Sequence, residues 1–95
     1  MYKIKLDNDA PDAMRSVLTD EELVKFSFNV QFAKCVFDRR TALGWSQQTL
    51  AEKSGVNRVT IAKIEKLQRQ AGIEVVLKLL EALGLEINFT PVDNK

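Results

Sequence analysis

The sequence predicts an all-α bundle of four to five short helices, followed by one short C-terminal β-strand. Three observations carry that prediction. Apolar residues recur at helical spacing from Phe32 to Leu83, the glycines Gly44, Gly55 and Gly84 fall where the runs break, and Leu85, Ile87 and Phe89 alternate with polar residues. A chain of 95 residues with 45% hydrophobic content buries one modest core, and a second subunit would add the buried surface that so small a domain lacks.

Each element has its own signals. Residues 2–6 alternate Tyr2, Ile4 and Leu6 with Lys3 and Lys5, a weak strand pattern that Pro11 and its acidic neighbours end. Thr19 and Glu22 form a capping box, which predicts a short helix to about Phe26. Ser27 or Asn29 then offers a fresh cap for a first core helix, in which Phe32, Ala33, Val36 and Leu43 lead to Gly44. Trp45 is placed to fold back on that helix end. Ser46 caps a second helix over 47–53 with Leu50 and Ala51 inward, and Gly55 supplies the sharp turn. After Val56, Asn57 caps a third helix over 58–66, where Ile61, Ile64 and Leu67 mark the buried stripe. A polar loop leads to an apolar helix over 73–83, which Gly84 stops. The strand that follows has no partner within the C-terminal part. It must pair with the arm at residues 2–6 or, the pairing we expect, with the same strand of a second subunit through Leu85, Ile87 and Phe89. The expected organisation is an arm and short helix over 1–26, a candidate for partner binding, a helical domain over 27–84, and a dimerisation strand and tail over 85–95.

Two short helices joined by a glycine turn, the second with polar and basic residues outward, have the geometry of a helix-turn-helix DNA reader. The charge distribution agrees. From Lys34 to Arg69 eight cations face three anions, a local +5 in a chain of net +1, which suits a phosphate-facing surface. A helix laid in the major groove reads bases from its first turn, so Arg58 and Val59, then Lys63 one turn on, are the expected base contacts. Arg58 suits guanine O6 and N7, and Val59 suits a thymine methyl. Gln47, Gln48, Asn57 and Thr60 are placed for phosphate, with Lys66, Arg69 and Lys53 as further phosphate candidates. Polar residues at helix starts also serve as ordinary caps, so the set carries the reading and no single member does. Glu65, next to core-facing Ile64, is placed to pair with Arg40 as a structural tie that also holds Arg40 near phosphate.

The run from Arg40 to Glu65 resembles the Cro and phage-repressor (XRE-type) helix-turn-helix family. It holds Arg, three residues, Gly, a hydrophobe, Ser, Gln, then Leu-Ala, Gly-Val and Ile-x-x-Ile-Glu. That resemblance implies a lambda-repressor-like fold, phosphate binding at Gln47, base contacts at Arg58, Val59 and Lys63, and an internal salt bridge between Arg40 and Glu65. The segments 44–47 and 77–83, with the short strand after them, are similar to HipB-type antitoxins. This narrower resemblance implies C-terminal strands paired across a homodimer, autoregulation of an operon on palindromic operator DNA, and neutralisation of a HipA-like kinase toxin. The longer residues 1–26 depart from those antitoxins. A stand-alone phage-repressor-like regulator with no toxin partner is the alternative.

Other classes are disfavoured. The chain has no histidine, one cysteine, no phosphate-cradling glycine loop and no carboxylates at ligand spacing, so no enzyme, metal or cofactor is expected. Cys35 reads as a small core residue. No apolar run approaches the ~20 residues of a membrane span and the N-terminus lacks a secretory apolar core, so the expected location is cytoplasmic.

Overall fold

The computed structural model describes residues 19–89 and residue 91. Four helices make up this part of the chain: α1 Asp20–Ala42, α2 Gln47–Ser54, α3 Arg58–Glu65 and α4 Ile73–Leu83. The expected arm strand at residues 2–6 lies outside the described residues.

α1 starts on a complete capping box. The Glu22 amide donates to Thr19 Oγ1 at 3.1 Å, and the Thr19 amide donates to Glu22 Oε1 at 2.8 Å. That backbone amide of Thr19, with its hydroxyl second, holds the Glu22 carboxyl below its ordinary range. The helix then runs unbroken for 23 residues, and the second start expected at Ser27 or Asn29 does not occur. Ser27 Oγ accepts instead from Gln31 Nε2 one turn on, at 3.0 Å. No Gly or Pro lies between Asp20 and Ala42 to stop the helix, and Ser and Asn cost only tenths of a kcal/mol inside one.

The termination of α1 positions everything after it. Gly44 takes φ 75°. Its amide donates to Thr41 O at 3.0 Å, and the Trp45 amide donates to Arg40 O at 2.9 Å, which satisfies two carbonyls at the helix end. Trp45 is half-buried against the core. Ser46 Oγ then accepts from the Thr49 amide and starts α2. Gly55 ends α2 at φ 77°, and a Cβ there would meet nothing within 4 Å, so backbone conformation alone calls for glycine. Asn57 Oδ1 accepts from the Val59 amide at 2.7 Å and starts α3.

One core joins all four helices. Phe32 and Val36 of α1 meet Leu50 of α2, Val56 of the turn, Ile61 and Ile64 of α3, and Val76, Leu79, Leu80 and Leu83 of α4. Burying each such side chain stabilises by roughly 1.5–3 kcal/mol before entropy. Arg39 Nε also donates to Leu83 O at 2.9 Å and so ties α1 to the end of α4.

Two expectations of burial need correction, and the C-terminal strand is not shown. Leu43 is exposed, and Leu67 leaves the α3 stripe, 48% exposed, in the left-handed region at φ 60°. Residues 85–89 form no strand among the described residues, since the described part of a single chain offers no sheet edge to pair with. Of the three residues expected to pair across a dimer, Leu85 packs against the bundle core, whereas Ile87 and Phe89 are exposed.

Candidate nucleic-acid interface

α3 shows the core one side and solvent the other. Ile61 and Ile64 point inward, and at 100° per residue Val59 and Lys63 fall on the opposite side, with Lys66 following the last turn. Arg58 flanks them at the first turn. Arg58, Val59, Lys63, Lys66 and Arg69 are all exposed, and Val59 keeps 49% of its surface.

Charge pairing separates this surface from the rest. The ion pairs among the described residues engage Lys25, Lys34, Arg40 and Lys78, and none engages Arg58, Lys63, Lys66 or Arg69. Four cations without ion partners on one helix and the loop after it leave an electropositive strip suited to phosphate.

Glu65 organises the shoulder of that strip. Its Oε2 accepts from Arg40 Nε at 2.9 Å, and its Oε1 accepts from Arg40 Nη2 and Gln47 Nε2, each at 3.0 Å. Arg40 Nη1 donates to Trp45 O at 2.9 Å, and the Phe37 ring centre lies 5.3 Å from the guanidinium. A buried charge survives only when paired and hydrogen-bonded, and this bidentate fork meets that demand. Arg40 is 8% exposed. Nε, Nη1 and Nη2 each give a hydrogen bond inward, so the geometry assigns Arg40 to the internal tie. Gln47 is half-buried and gives an amide proton to Glu65, which fixes its side chain at the start of α2.

Gln48, Asn57 and Thr60 complete the region. Gln48 is exposed and donates to Glu52 Oε2 at 3.2 Å, Asn57 is exposed at its cap, and Thr60 is half-buried. A shallow open cleft of about 400 Å³ runs between α2 and the N-terminal end of α3, lined by Gln48, Ala51, Glu52, Asn57, Arg58 and Val59. Sequence reasoning missed Glu52 as a member of this surface, although its spacing four residues from Gln48 signals the contact. Lys53 lies over the Trp45 ring at 5.0 Å from its centre, so its charge belongs to the rim. Cys35 is buried away from this face, and desolvation pushes its thiol up to about 11. Among the described residues no group of acidic, histidine or cysteine side chains is arranged to hold a metal ion, and no helix is long and apolar enough to cross a membrane.

A short helix, a left-handed glycine turn and a second helix whose outward face is basic define a helix-turn-helix protein with its reading helix at α3. The helix-turn-helix family model HTH_3 matches residues 37–89, and the chain belongs to that family, the Cro and phage-repressor type. An uncharacterised HTH-type transcriptional regulator of Haemophilus influenzae is 35% identical over 78 residues, which cover 82% of this chain and 80% of that relative. The crystal structure of the restriction-modification controller protein C.AhdI from Aeromonas hydrophila is also similar. It superposes with a TM-score of 0.58 at 40% identity, over 61% of this chain and 88% of its own.

Proposed function

We propose that this protein is a cytoplasmic, sequence-specific transcriptional repressor that binds palindromic operator DNA as a homodimer. The observation that carries this reading is the outward face of α3, where Arg58, Val59 and Lys63 are exposed and neither cation has an ion partner. Arg58 forks onto guanine, Val59 packs on a thymine methyl, and Lys63 reaches the next step of the groove. Gln47, Gln48, Asn57, Thr60, Lys66 and Arg69 hold the phosphates on either side. Two copies place their reading helices about 34–36 Å apart, on successive major grooves. Exposed Ile73 and Leu77 on α4, with Ile87 and Phe89 beyond it, supply the apolar surface for the second copy. Bound there, the dimer blocks access of polymerase to the promoter.

Neither named relative is described by a toxin, and no described surface singles out a kinase. Both the antitoxin of a HipBA-like operon, holding a HipA-like kinase toxin, and a stand-alone phage-repressor-like regulator would use this DNA-binding face, and co-purification of a kinase from the native host separates them. The test is selection of a binding site from random duplexes, followed by mobility shift with the Arg58→Ala, Lys63→Ala double variant. Loss of at least tenfold in affinity for the selected site is expected, with a far-UV spectrum like that of the parent. Full affinity in that variant would reject α3 as the reading helix.

A further inference from the structure

α1 carries a second apolar seam outside the cluster that fills the bundle. Phe28, Phe32 and Val36 face the core. At 3.6 residues per turn, Leu23, Phe26, Val30, Ala33 and Phe37 fall on the opposite side, separated by three, four, three and four residues. That alternation is the spacing by which one helix seats another packed element along its length. Leu23 is 2% exposed and Ala33 5%, yet neither belongs to the cluster that fills the bundle. Val30 and Phe37 on the same seam keep substantial exposure. The seam also lies almost wholly ahead of residue 37, where the family match begins.

The start of the helix indicates what covers it. Thr19 has extended backbone, φ −71° and ψ 165°, so the chain leaves the helix axis at that residue. At helix starts of this kind a hydrophobic residue before the cap often packs on the fourth residue of the helix, a staple that sets the angle at which the chain enters. Those positions are Leu18 and Leu23 here. A staple between those two leucines would turn the chain back over the Leu23 side of α1. The preceding sequence brings matching apolar residues: Val17 and Met14, then Leu6, Ile4 and Tyr2. The seam from Leu23 to Phe37 is about 21 Å long, and some seven extended or fourteen helical residues span it, within the eighteen that precede Thr19.

We propose that the segment 1–18 of the same chain docks along the Leu23, Phe26, Val30, Ala33 and Phe37 seam of α1. It forms an intramolecular layer on the side of α1 away from the bundle core. This proposal stands apart from the DNA-binding reading, since no residue of the seam belongs to the α3 surface.

Photo-crosslinking of the full chain tests it. p-Benzoylphenylalanine replaces Val30, the purified protein is irradiated, and adducts are mapped by peptide mass spectrometry. A variant labelled at Phe26 is run in parallel, and both are first checked against the parent by far-UV circular dichroism. The expected dominant product is an intramolecular adduct with peptides from residues 1–18. Covalent dimers would assign the seam to a second copy, and adducts with another protein on irradiation in cells would assign it to a foreign partner. Either result overturns the proposal, as does the absence of adducts at both positions.

Discussion

Glu65 ties together side chains from three helices. It receives both forks of Arg40 from α1 and the amide of Gln47 from α2, while standing in the last turn of α3. Arg40 and Glu65 side chains are only 10% and 6% exposed, so removing one strands the other in a dry site. Glu65→Ala is expected to lose about 3–5 kcal/mol, a large share of the roughly 5–15 kcal/mol typical of a whole domain. Urea denaturation followed by Trp45 fluorescence measures it, and an unchanged midpoint would show that the tie contributes nothing. The pairing itself is legible in the sequence, because opposite charges flank core-facing positions on two adjacent helices. The recruitment of Gln47, and the inward turn of the Arg40 guanidinium toward Trp45 O, are not. Both depend on which way a long side chain turns, and periodicity does not encode that.

At the level of elements, helix ends were easier to read than helix extents. Ser46, Asn57, Gly55 and Gly84 announce their termini through caps and left-handed turns that few other residues satisfy. The continuity of α1 was hidden because Ser27 and Asn29 look like caps, and the apolar residues on two opposite sides blur the single stripe that marks an amphipathic helix. The end of α3 hides a different irregularity. Leu67 and Gln68 amides donate to Ile64 O and Lys63 O at 3.1 and 2.8 Å, the hydrogen bonds of a left-handed helix stop, yet leucine occupies the position that favours glycine. A left-handed leucine costs about 1–2 kcal/mol, and glycine gives back roughly 0.5–1 kcal/mol in chain entropy. Leu67→Gly should therefore stabilise by about 0.5–1 kcal/mol, read as a rise of a few degrees in Tm. A fall in Tm would mean that the half-exposed leucine supplies packing worth more than its strain.

For the molecule as a whole, the helical bundle and the exposure of Arg58, Val59 and Lys63 follow from letters alone, but the other outer surfaces do not. The sequence assigned Leu85, Ile87 and Phe89 one shared task, and the structure divides them between core and solvent. Alternation fixes which residues share a face but not what that face meets. Ile73, Leu77, Ile87 and Phe89 are all exposed, Phe89 at 89%, and a second copy seated on them would bury apolar surface. Replacing Leu77 and Phe89 with glutamate is expected to shift sedimentation equilibrium from dimer to monomer and to weaken binding to a two-half-site operator far more than to a single half-site. A dimer that persists in this variant would move the subunit contact elsewhere.

The three-way clasp at Glu65 has a thermodynamic consequence. Because α1, α2 and α3 are already locked together, this three-helix unit is expected to meet duplex DNA as a finished template. Calorimetry of association should then show only the modest negative heat-capacity change of surfaces drying against each other, without the larger signature of a chain that folds as it binds.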